Sequence, residues 1–457
     1  MRARLDKKLA PAVVVRGPRQ VGKTIAQLQL LDDLLSQGLP ASSILRVQCD
    51  ELPGLLSLQE PILRIVDWYE SKILGESVNA RARSGQPTFI FLDEVQNLAD
   101  WAPQVKFLVD TTAVQVVITG SSALRIEQGR DSLAGRISTI VAGTLSLTEI
   151  GGFRGIDVGV PHLPDNGPGP LVDKTLWAEL AGPVAPELRQ GFAEVFRLFS
   201  QRGGYPLVHQ RHEVDFGQLA DQLNETVIRR VIQHDLRVGE RGRKRDQSLL
   251  EELFRLSCRY IGQSPGSTAL AREVQRVVQA DVGPQRVQHY LRFLNDTLLL
   301  RVVEPLEIRL KRRRGNAKLC LADHGLRASW LQESIPIDPD GLDANPHLTE
   351  LAGRISESVV GALLTSIPGL DVAHLPARHA QPEVDYVLTI GTRRIPLEVK
   401  YQKRIDPWRD TEGLRTFIET AANNAPFGIL ITRPDAVGEI EDPRIVRVPL
   451  PNLLLMR

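Results

Sequence analysis

An octapeptide near the start of the chain, Gly17–Thr24 with the sequence GPRQVGKT, constrains the fold more than any other feature. It fits the pattern G-x-x-x-x-G-K-[ST], in which main-chain N–H groups surround phosphates. Ala12 to Val15 before it predicts a buried strand, and Ile25 to Leu35 after it has apolar residues at helical spacing. The loop N–H groups and the helix dipole would point at the same anion. The sequence therefore predicts a nucleoside triphosphate site.

A second stretch supplies the acidic residues that such a site needs. Thr88 to Glu94 predicts an apolar strand that ends in two carboxylates, and we expect this strand to lie beside the first one. Asp93 would assist Mg²⁺, and Glu94 would polarise the attacking water as a general base. Lys23 would reach the β/γ-phosphates of ATP, and the Thr24 hydroxyl would bind Mg²⁺. The alternative is an acidic pair that only caps a helix or faces solvent.

A third buried strand, Val114 to Thr119, precedes Gly120-Ser121-Ser122. A small polar side chain at that strand end would hydrogen-bond the γ-phosphate or the water, and Thr119, Ser121 and Ser122 are the candidates. Ser121 joins the loop in the predicted nucleotide-binding set, which is Gly17, Pro18, Arg19, Gln20, Val21, Gly22, Lys23, Thr24 and Ser121.

The whole chain sets further bounds. Its 457 residues exceed one ordinary core, so two to four domains are expected. A formal net charge of +1 restricts any nucleic-acid surface to a local patch. Cys49, Cys258 and Cys320 are too dispersed for a disulfide framework or a zinc site. With no signal peptide and no apolar run of about 20 residues, the expectation is a cytoplasmic protein without a membrane span.

Several motifs in the same order resemble a widespread group of prokaryotic AAA-superfamily ATPases. They are the Gly17–Thr24 loop, Leu92–Gln96 (LDEVQ), Thr119–Ser122 (TGSS), Leu133–Arg136 (LAGR) and Thr144–Ile150 (TLSLTEI). The resemblance implies an arginine that completes the site of a neighbouring subunit. Arg136 matches that role best, with Arg125 and Arg130 as alternatives. It also implies a ring-forming homo-oligomer, with a hexamer as one candidate state.

The middle of the chain predicts helices and a basic hairpin. Gly151 to Lys174 is rich in Gly and Pro and predicts a loop, followed by a helical lid. Three helices and two strands between 241 and 335 are in the order of a winged helix. The third helix and the hairpin tip carry candidate DNA contacts, which are Gln285, Arg286, Gln288, His289, Arg292 and Lys311–Arg314. A protein-docking module with a solvated cationic tip is the alternative.

The C-terminal part predicts a β-hairpin with a cluster of charged residues. Glu398 and Lys400 are two residues apart and share one strand face, and Asp385 lies on the preceding strand. Asp385 followed thirteen residues later by Glu398-Val399-Lys400 resembles the PD-(D/E)XK nuclease pattern, with Pro382 slightly displaced from its usual position. The resemblance implies that Asp385, Glu398 and helix-borne Glu357 bind Mg²⁺ and that Lys400 positions the nucleophile.

These patterns together predict an α/β protein of four parts: an AAA-type P-loop core with a parallel sheet (1–150), a linker and helical lid (151–240), a winged helix (241–335) and a restriction-endonuclease-like domain (340–457). The predicted function is an ATP- and Mg²⁺-dependent translocase or remodelling motor for DNA, branched DNA included, with metal-dependent cleavage as a further activity. The alternative is a signalling ATPase switch whose C-terminal domains bind protein partners.

Overall fold

The computed structural model describes residues 1–7, 10–120, 133–163, 167–235, 244–307, 315–377 and 382–457. The chain divides into two compact units, Met1–Gly143 and Thr144–Arg457. In these described ranges, no helix combines the length and the apolar content needed to cross a bilayer. The finer division of the second unit into lid, winged helix and nuclease-like domain stays a prediction.

The N-terminal unit is built around one five-stranded parallel sheet. Its strands are β1 (Ala12–Arg16), β2 (Ile44–Gln48), β3 (Phe89–Asp93), β4 (Gln115–Gly120) and β5 (Ile137–Val141). Its helices are α1 (Arg2–Asp6), α2 (Lys23–Ser36), α3 (Pro53–Leu56), α4 (Pro61–Tyr69), α5 (Val78–Arg83) and α6 (Trp101–Thr111). The predicted strands and the helix after the glycine loop are therefore confirmed.

The order of the strands is β2-β3-β4-β1-β5, so the expectation that β3 lies beside β1 is wrong. Strand β4 separates them, with Val116 paired to Ala12 of β1 and to Ile90 of β3. Both β3 and β4 are apolar and buried on both faces, which favours interior positions in the sheet. The C-terminal ends of β1, β4 and β3 therefore lie side by side, in that order, at one end of the sheet.

The core of this unit lies on both faces of the sheet. Along β1, Ala12 and Val14 pack into one apolar layer, whereas Val13 and Val15 pack into the other. Helices α4 and α6 contribute to the first layer, and α1 and α2 to the second. This alternation follows from the two-residue period of a strand. Helices therefore cover both faces of the sheet, and this packing fixes the positions of its strand ends.

The C-terminal unit is larger and mixes helices with two sheets. Its helices are α7 (Leu147–Arg154), α8 (Lys174–Ala181), α9 (Arg189–Arg202), α10 (Pro206–Gln210), α11 (Phe216–Leu223), α12 (Lys244–Arg259), α13 (Ser267–Val278), α14 (Pro284–Asp296), α15 (His324–Leu331), α16 (Pro339–Ala344), α17 (Thr349–Ser366), α18 (Glu412–Glu419) and α19 (Leu450–Leu454). Its strands are β6 (Leu300–Val303), β7 (Lys318–Leu321), β8 (Asp371–Leu375), β9 (Val384–Ile390), β10 (Arg393–Lys400), β11 (Gly428–Thr432) and β12 (Ile445–Pro449).

The larger sheet of this unit has the order β12-β11-β10-β9-β8. Strands β8, β9 and β10 run antiparallel in sequence, and β11 and β12 run parallel to β10. Helix α18 connects β10 to β11, as a parallel pair requires. Strands β6 and β7 form a separate antiparallel hairpin, and helices α12, α13 and α14 pack on one another in front of it. The predicted β9–β10 hairpin and the three-helix-plus-hairpin order are present.

Several details differ from the sequence expectations. The predicted loop from Gly151 contains the end of α7 and a 3₁₀ turn at Gly169–Val172. The sequence favours Ser267 or Thr268 as the N-cap of α13, but the N-cap is Gly266, because Ser267 is already helical. The sequence also predicts helices from Leu63 to Leu74 and from Leu219 to His234. In the structure α4 and α11 are followed by π-helical turns, which a 3.6-residue pattern does not distinguish over so short a stretch.

Candidate functional site

The glycine loop connects β1 to α2 through two residues with left-handed backbone conformations. Gln20 has φ of 64° and Gly22 has φ of 89°. Gly17 lies against β5's end, where an added Cβ would come within 2.4 Å of the Ala142 carbonyl oxygen. Helix α2 begins at Lys23, directly after Gly22. The loop therefore packs against the sheet edge and ends at a helix N-terminus, as an anion-binding loop requires.

Lys23 is only 5% exposed and folds back on the loop. Its Nζ donates to the carbonyl oxygens of Gly17 at 3.1 Å and Pro18 at 2.7 Å. A buried ammonium needs such partners. The side chain is thus already inside the loop that would surround the phosphates, in agreement with its predicted position.

Asp93 joins the ends of the neighbouring strands and is 3% exposed. Its Oδ1 accepts a hydrogen bond from the Thr24 hydroxyl at 3.3 Å and another from the Thr119 hydroxyl. Its Oδ2 accepts from the Arg46 guanidinium at 3.2 Å. The start of α2, the middle of β2 and the ends of β3 and β4 therefore converge on one carboxylate.

This convergence fits Mg²⁺ with a nucleotide. Mg²⁺ prefers oxygen ligands and is commonly held by one or two protein groups together with substrate phosphates and water. The Thr24 hydroxyl and the Asp93 carboxylate supply such oxygens next to the loop. Among the described residues, no group of three or more His, Cys, Asp and Glu side chains forms an all-protein metal site. The donor set is that of a metal shared with a phosphate ligand.

Glu94 follows β3 in a left-handed conformation with φ of 52°. Its side chain is half-buried, and its Oε2 accepts a hydrogen bond from the Gln96 amide. The Asn97 side-chain amide donates to the Glu94 carbonyl oxygen at 2.9 Å. Glu94 is thus held by Gln96 and Asn97 in the turn that follows β3, directly after the buried Asp93. The role of Glu94 as a base stays a prediction.

Arg136 lies at the opposite end of the sheet from its own glycine loop. It precedes Ile137, which pairs with Ala12 at the start of β1, whereas the loop follows Arg16 at the end of that strand. A five-residue strand spans about 13 Å. The Arg136 Nε donates to Asp110 at 2.5 Å, and this bond lowers the pKa of the Asp110 carboxyl. A role for Arg136 in its own site is excluded by this placement, and a role in a neighbouring subunit stays a prediction.

Some of the predicted site residues lie outside the described residues. They are Ser121, Ser122, Arg125, Arg130 and Lys311–Arg314. Thr119, one of the three candidates for the small polar group, is the one that the structure places against Asp93.

Arg46 is a site residue that the sequence reasoning missed. It donates to Asp93, to Gln27 at 3.3 Å and to Gln48 at 3.0 Å. Its signal in the sequence is a cation inside the short strand Ile44–Gln48, where a charged side chain requires a partner. The guanidinium holds Asp93 in place through a partly buried ion pair.

The C-terminal charged residues form a second cluster, around a lysine that was not predicted. Lys318 of β7 is 1% exposed, and its Nζ contacts Glu357 of α17, Asp385 of β9 at 2.9 Å and Glu383 at 3.5 Å. The other Asp385 oxygen accepts from the Val399 N–H at 2.9 Å. The structure thus brings Glu357 and Asp385 together, and the Lys318 ammonium contacts both of them.

Glu398 and Lys400 complete this cluster on β10. Lys400 Nζ lies 2.5 Å from Glu398 Oε1, and Glu398 Oε2 accepts from the Asp385 N–H at 3.4 Å. Burial, and then the Asp385 charge, raise the pKa of Glu398 to about 8. The predicted ligands Glu357, Asp385 and Glu398 are therefore bonded to lysines and main-chain N–H groups and do not form a metal-ligand group.

The Lys318 ammonium stays charged in this setting. Burial alone would lower its pKa, but the carboxylates of Asp385, Glu357 and Glu383 outweigh burial and hold the pKa well above its usual value. Burial would likewise raise the pKa of Asp385, and Lys318 reverses this and lowers it. The cluster is centred on a Lys318–Asp385 ion pair.

Comparison with known proteins identifies part of the chain. Residues 10–151 match the family model described as AAA domain, and residues 194–335 match a domain of unknown function (DUF8612). An uncharacterized protein of Mycobacterium tuberculosis is 25% identical over 404 residues, which cover 87% of this chain and 72% of that protein. An uncharacterized protein of Mycobacterium bovis matches to the same extent. The AAA match, the glycine loop and the parallel sheet together make the N-terminal unit an AAA P-loop ATPase domain.

Two solved structures align with this chain at low similarity. Cdc6p from Pyrobaculum aerophilum is 14% identical with a TM-score of 0.26, covering 72% of this chain and 90% of its own. The Aeropyrum pernix ORC1 protein, solved in complex with DNA, is 14% identical with a TM-score of 0.26, covering 76% of this chain and 92% of its own. Alignments with TM-scores this low carry no argument about fold or function.

Proposed function

We propose that this protein binds ATP at the Gly17–Thr24 loop, hydrolyses it, and couples hydrolysis to remodelling or translocation of DNA. The observation that carries the first part is the Asp93 carboxylate, which joins Thr24 beside the loop to Thr119 at the end of β4. This arrangement leaves Lys23 and Thr24 at a helix N-terminus, next to a carboxylate fixed by an arginine.

Each residue has a defined task in this proposal. Lys23 exchanges its bonds to Gly17 and Pro18 for the β- and γ-phosphates, and the loop N–H groups bind phosphate oxygens. Thr24 and Asp93 hold Mg²⁺, which neutralises charge on the phosphates when it is bound. Glu94 orients the attacking water and accepts its proton. Thr119 keeps Asp93 oriented through its hydroxyl.

The DNA part of the proposal is supported by the exposed face of α14. Val287, Tyr290 and Leu294 of this helix are buried, whereas the polar residues between them are exposed, namely Gln285, Arg286, Gln288, His289 and Arg292. The Arg286 guanidinium lies 5.9 Å from the Tyr290 ring centroid, and this cation–π contact favours an orientation of the Arg286 side chain along the helix. A helix that follows two packed helices and presents such a face is suited to groove contacts. The four successive cations Lys311–Arg314, which lie outside the described residues, are candidates for phosphate contacts from the sequence alone.

The test combines ATPase rates with DNA binding. We expect duplex or branched DNA to stimulate ATP hydrolysis, and the double variant Arg286→Glu/Arg292→Glu to bind DNA about tenfold more weakly or worse at low salt, because it replaces two cations on the groove-facing side of α14 with carboxylates. Arg189→Glu/Arg197→Glu, which reverses two exposed arginines on α9, is the matched control and should bind DNA like the parent.

Two results would contradict the DNA part. One is the absence of both DNA binding at low salt and DNA stimulation of ATP turnover. The other is equal DNA affinity in the α14 variant and the α9 control. The first result would leave an ATPase switch whose C-terminal unit binds protein partners as the function to pursue, and the second would show that α14 is not the DNA-binding surface.

A further inference from the structure

The position of Lys318 in the C-terminal cluster is fixed by the main chain around it. Beyond β6, the Leu306 N–H donates to the His374 carbonyl oxygen at 2.7 Å, and the His374 N–H donates to the Glu304 carbonyl oxygen at 3.1 Å. The His374 Nε2 also bonds the Asn316 carbonyl oxygen at 2.9 Å, two residues before Lys318. These hydrogen bonds attach the β6–β7 hairpin to β8. The Lys318 side chain therefore extends into the cluster from a segment of main chain that is held in place.

Acidic side chains and an aromatic ring surround the Lys318 ammonium, and both kinds of group attract a cation. Besides Glu357, Glu383 and Asp385, the Tyr386 ring lies with its centroid 5.2 Å from Lys318 Nζ. The Tyr386 hydroxyl donates to the Glu357 carbonyl oxygen at 2.7 Å, which ties α17 to β9 at this point. The carboxylates and the ring face are thus organised around the ammonium.

We propose that Lys318 is the resident cation of this cluster, so that its ammonium takes the place of the divalent metal that the nuclease-like pattern predicts, and that the C-terminal unit does not cleave DNA. The donor set does not fit a metal as it stands, because the Asp385 and Glu357 oxygens that would bind one are bonded to Lys318. Displacing the lysine would leave a buried ammonium without its counter-ions, unless the hairpin separated from β8.

The chemistry of an ammonium explains the proposed loss of cleavage. An ammonium has three N–H donors and no empty coordination position. It cannot generate hydroxide by binding water as a divalent metal does, nor can it bridge an attacking and a leaving oxygen. Charge neutralisation of Asp385 is preserved, so the fold keeps its sheet while the reaction is lost. This inference concerns the C-terminal unit alone and does not depend on ATP hydrolysis.

The experiment measures Mn²⁺ binding to the full chain without nucleotide, using the paramagnetic signal of free Mn²⁺, and compares each protein with its Asp385→Asn counterpart. Only binding that Asp385→Asn removes is assigned to the cluster. We expect none in the parent. Lys318→Ala, which leaves the carboxylates without their ammonium, should gain a Mn²⁺ site that the parent lacks, and Lys318→Ala/Asp385→Asn should lose this binding again.

Three outcomes would overturn the proposal: Mn²⁺ binding to the parent that Asp385→Asn removes, Mg²⁺- or Mn²⁺-dependent nicking of DNA by the parent that Asp385→Asn abolishes, or a folded Lys318→Ala that gains no Mn²⁺ binding. The comparison of the parent with Asp385→Asn remains decisive if Lys318→Ala does not fold. Lys318→Arg is the conservative control, since a guanidinium would keep the cluster neutralised and should gain no Mn²⁺ binding.

Discussion

Single residues decide how closely the glycine loop approaches the sheet, and Gly17 shows this most clearly. A side chain at this position would meet a main-chain oxygen of β5's end, which cannot move away like the tip of a flexible side chain. Lys23 depends on the same approach, since its Nζ donates to the Gly17 carbonyl oxygen. The packing of one glycine is therefore coupled to the position of the phosphate-binding lysine.

The variant Gly17→Ala should consequently lower both stability and ATP binding. Forcing a Cβ to within 2.4 Å of the Ala142 carbonyl oxygen requires the loop or the strand end to shift. Such overpacking costs about 1–3 kcal/mol in the free energy of unfolding. Denaturant unfolding of the parent and the variant measures this loss. Gly143→Ala is the matched control, because its Cβ would have no atom within 4 Å, and an equal loss in both variants would contradict the argument.

The helices and strands can be predicted from local sequence patterns more fully than the functional site can. The short, mainly apolar runs from Ile44 to Gln48 and from Gly428 to Thr432 each predict a strand, and both are strands with these bounds. The β9–β10 hairpin was likewise visible in two apolar runs that flank Gly391, whose φ of 60° suits the turn. Strand β8 was not predicted, because Asp371 and His374 interrupt the apolar residues of its short sequence DVAHL.

What could not be predicted are contacts between segments far apart in the chain. Lys318 and Asp385 are 67 residues apart, and Arg46 and Asp93 are 47 apart. No local period relates such positions, and the order of the strands decides which strand ends meet. The position of β4 between β1 and β3 is a property of the whole sheet, and it is what brings Thr119 to Asp93.

The variant Thr119→Val tests this consequence of the strand order. It keeps the approximate shape of the side chain and removes the hydroxyl that donates to Asp93. A hydrogen bond to a charged group contributes about 1.5–3 kcal/mol, so we expect the kcat of ATP hydrolysis to fall about tenfold or more. Thr139→Val on edge strand β5 is the control. Unchanged kcat for Thr119→Val would show that Asp93 does not depend on β4.

At the scale of the whole molecule, the position of Arg136 is consistent with action between subunits. It pairs with Asp110 at partly exposed positions, and exposed ion pairs of this kind contribute little to stability because water screens them. Its guanidinium is therefore available to another partner at little cost. An arginine at a transferring phosphoryl group raises the rate by about 10³–10⁵ where it is required.

Mixing two inactive proteins tests this arrangement. Arg136→Ala lacks the arginine but keeps Glu94, and Glu94→Gln lacks the base but keeps the arginine. If Arg136 acts in the neighbouring subunit, the mixture should hydrolyse ATP faster than either variant alone, because some interfaces combine an intact Glu94 with an intact Arg136. ATP turnover over a series of mixing ratios measures this. A mixture that only averages the two rates would contradict action between subunits.

The central claim is that ATP is bound and consumed at the Gly17–Thr24 loop, and ATP turnover by Lys23→Ala tests it most directly. Removing a cation aimed at the developing phosphate charge should lower the rate by about a hundredfold or more. Lys106→Ala, which changes an exposed lysine of the same unit, should keep the parental rate. A Lys23→Ala protein that hydrolyses ATP as fast as Lys106→Ala would contradict the account.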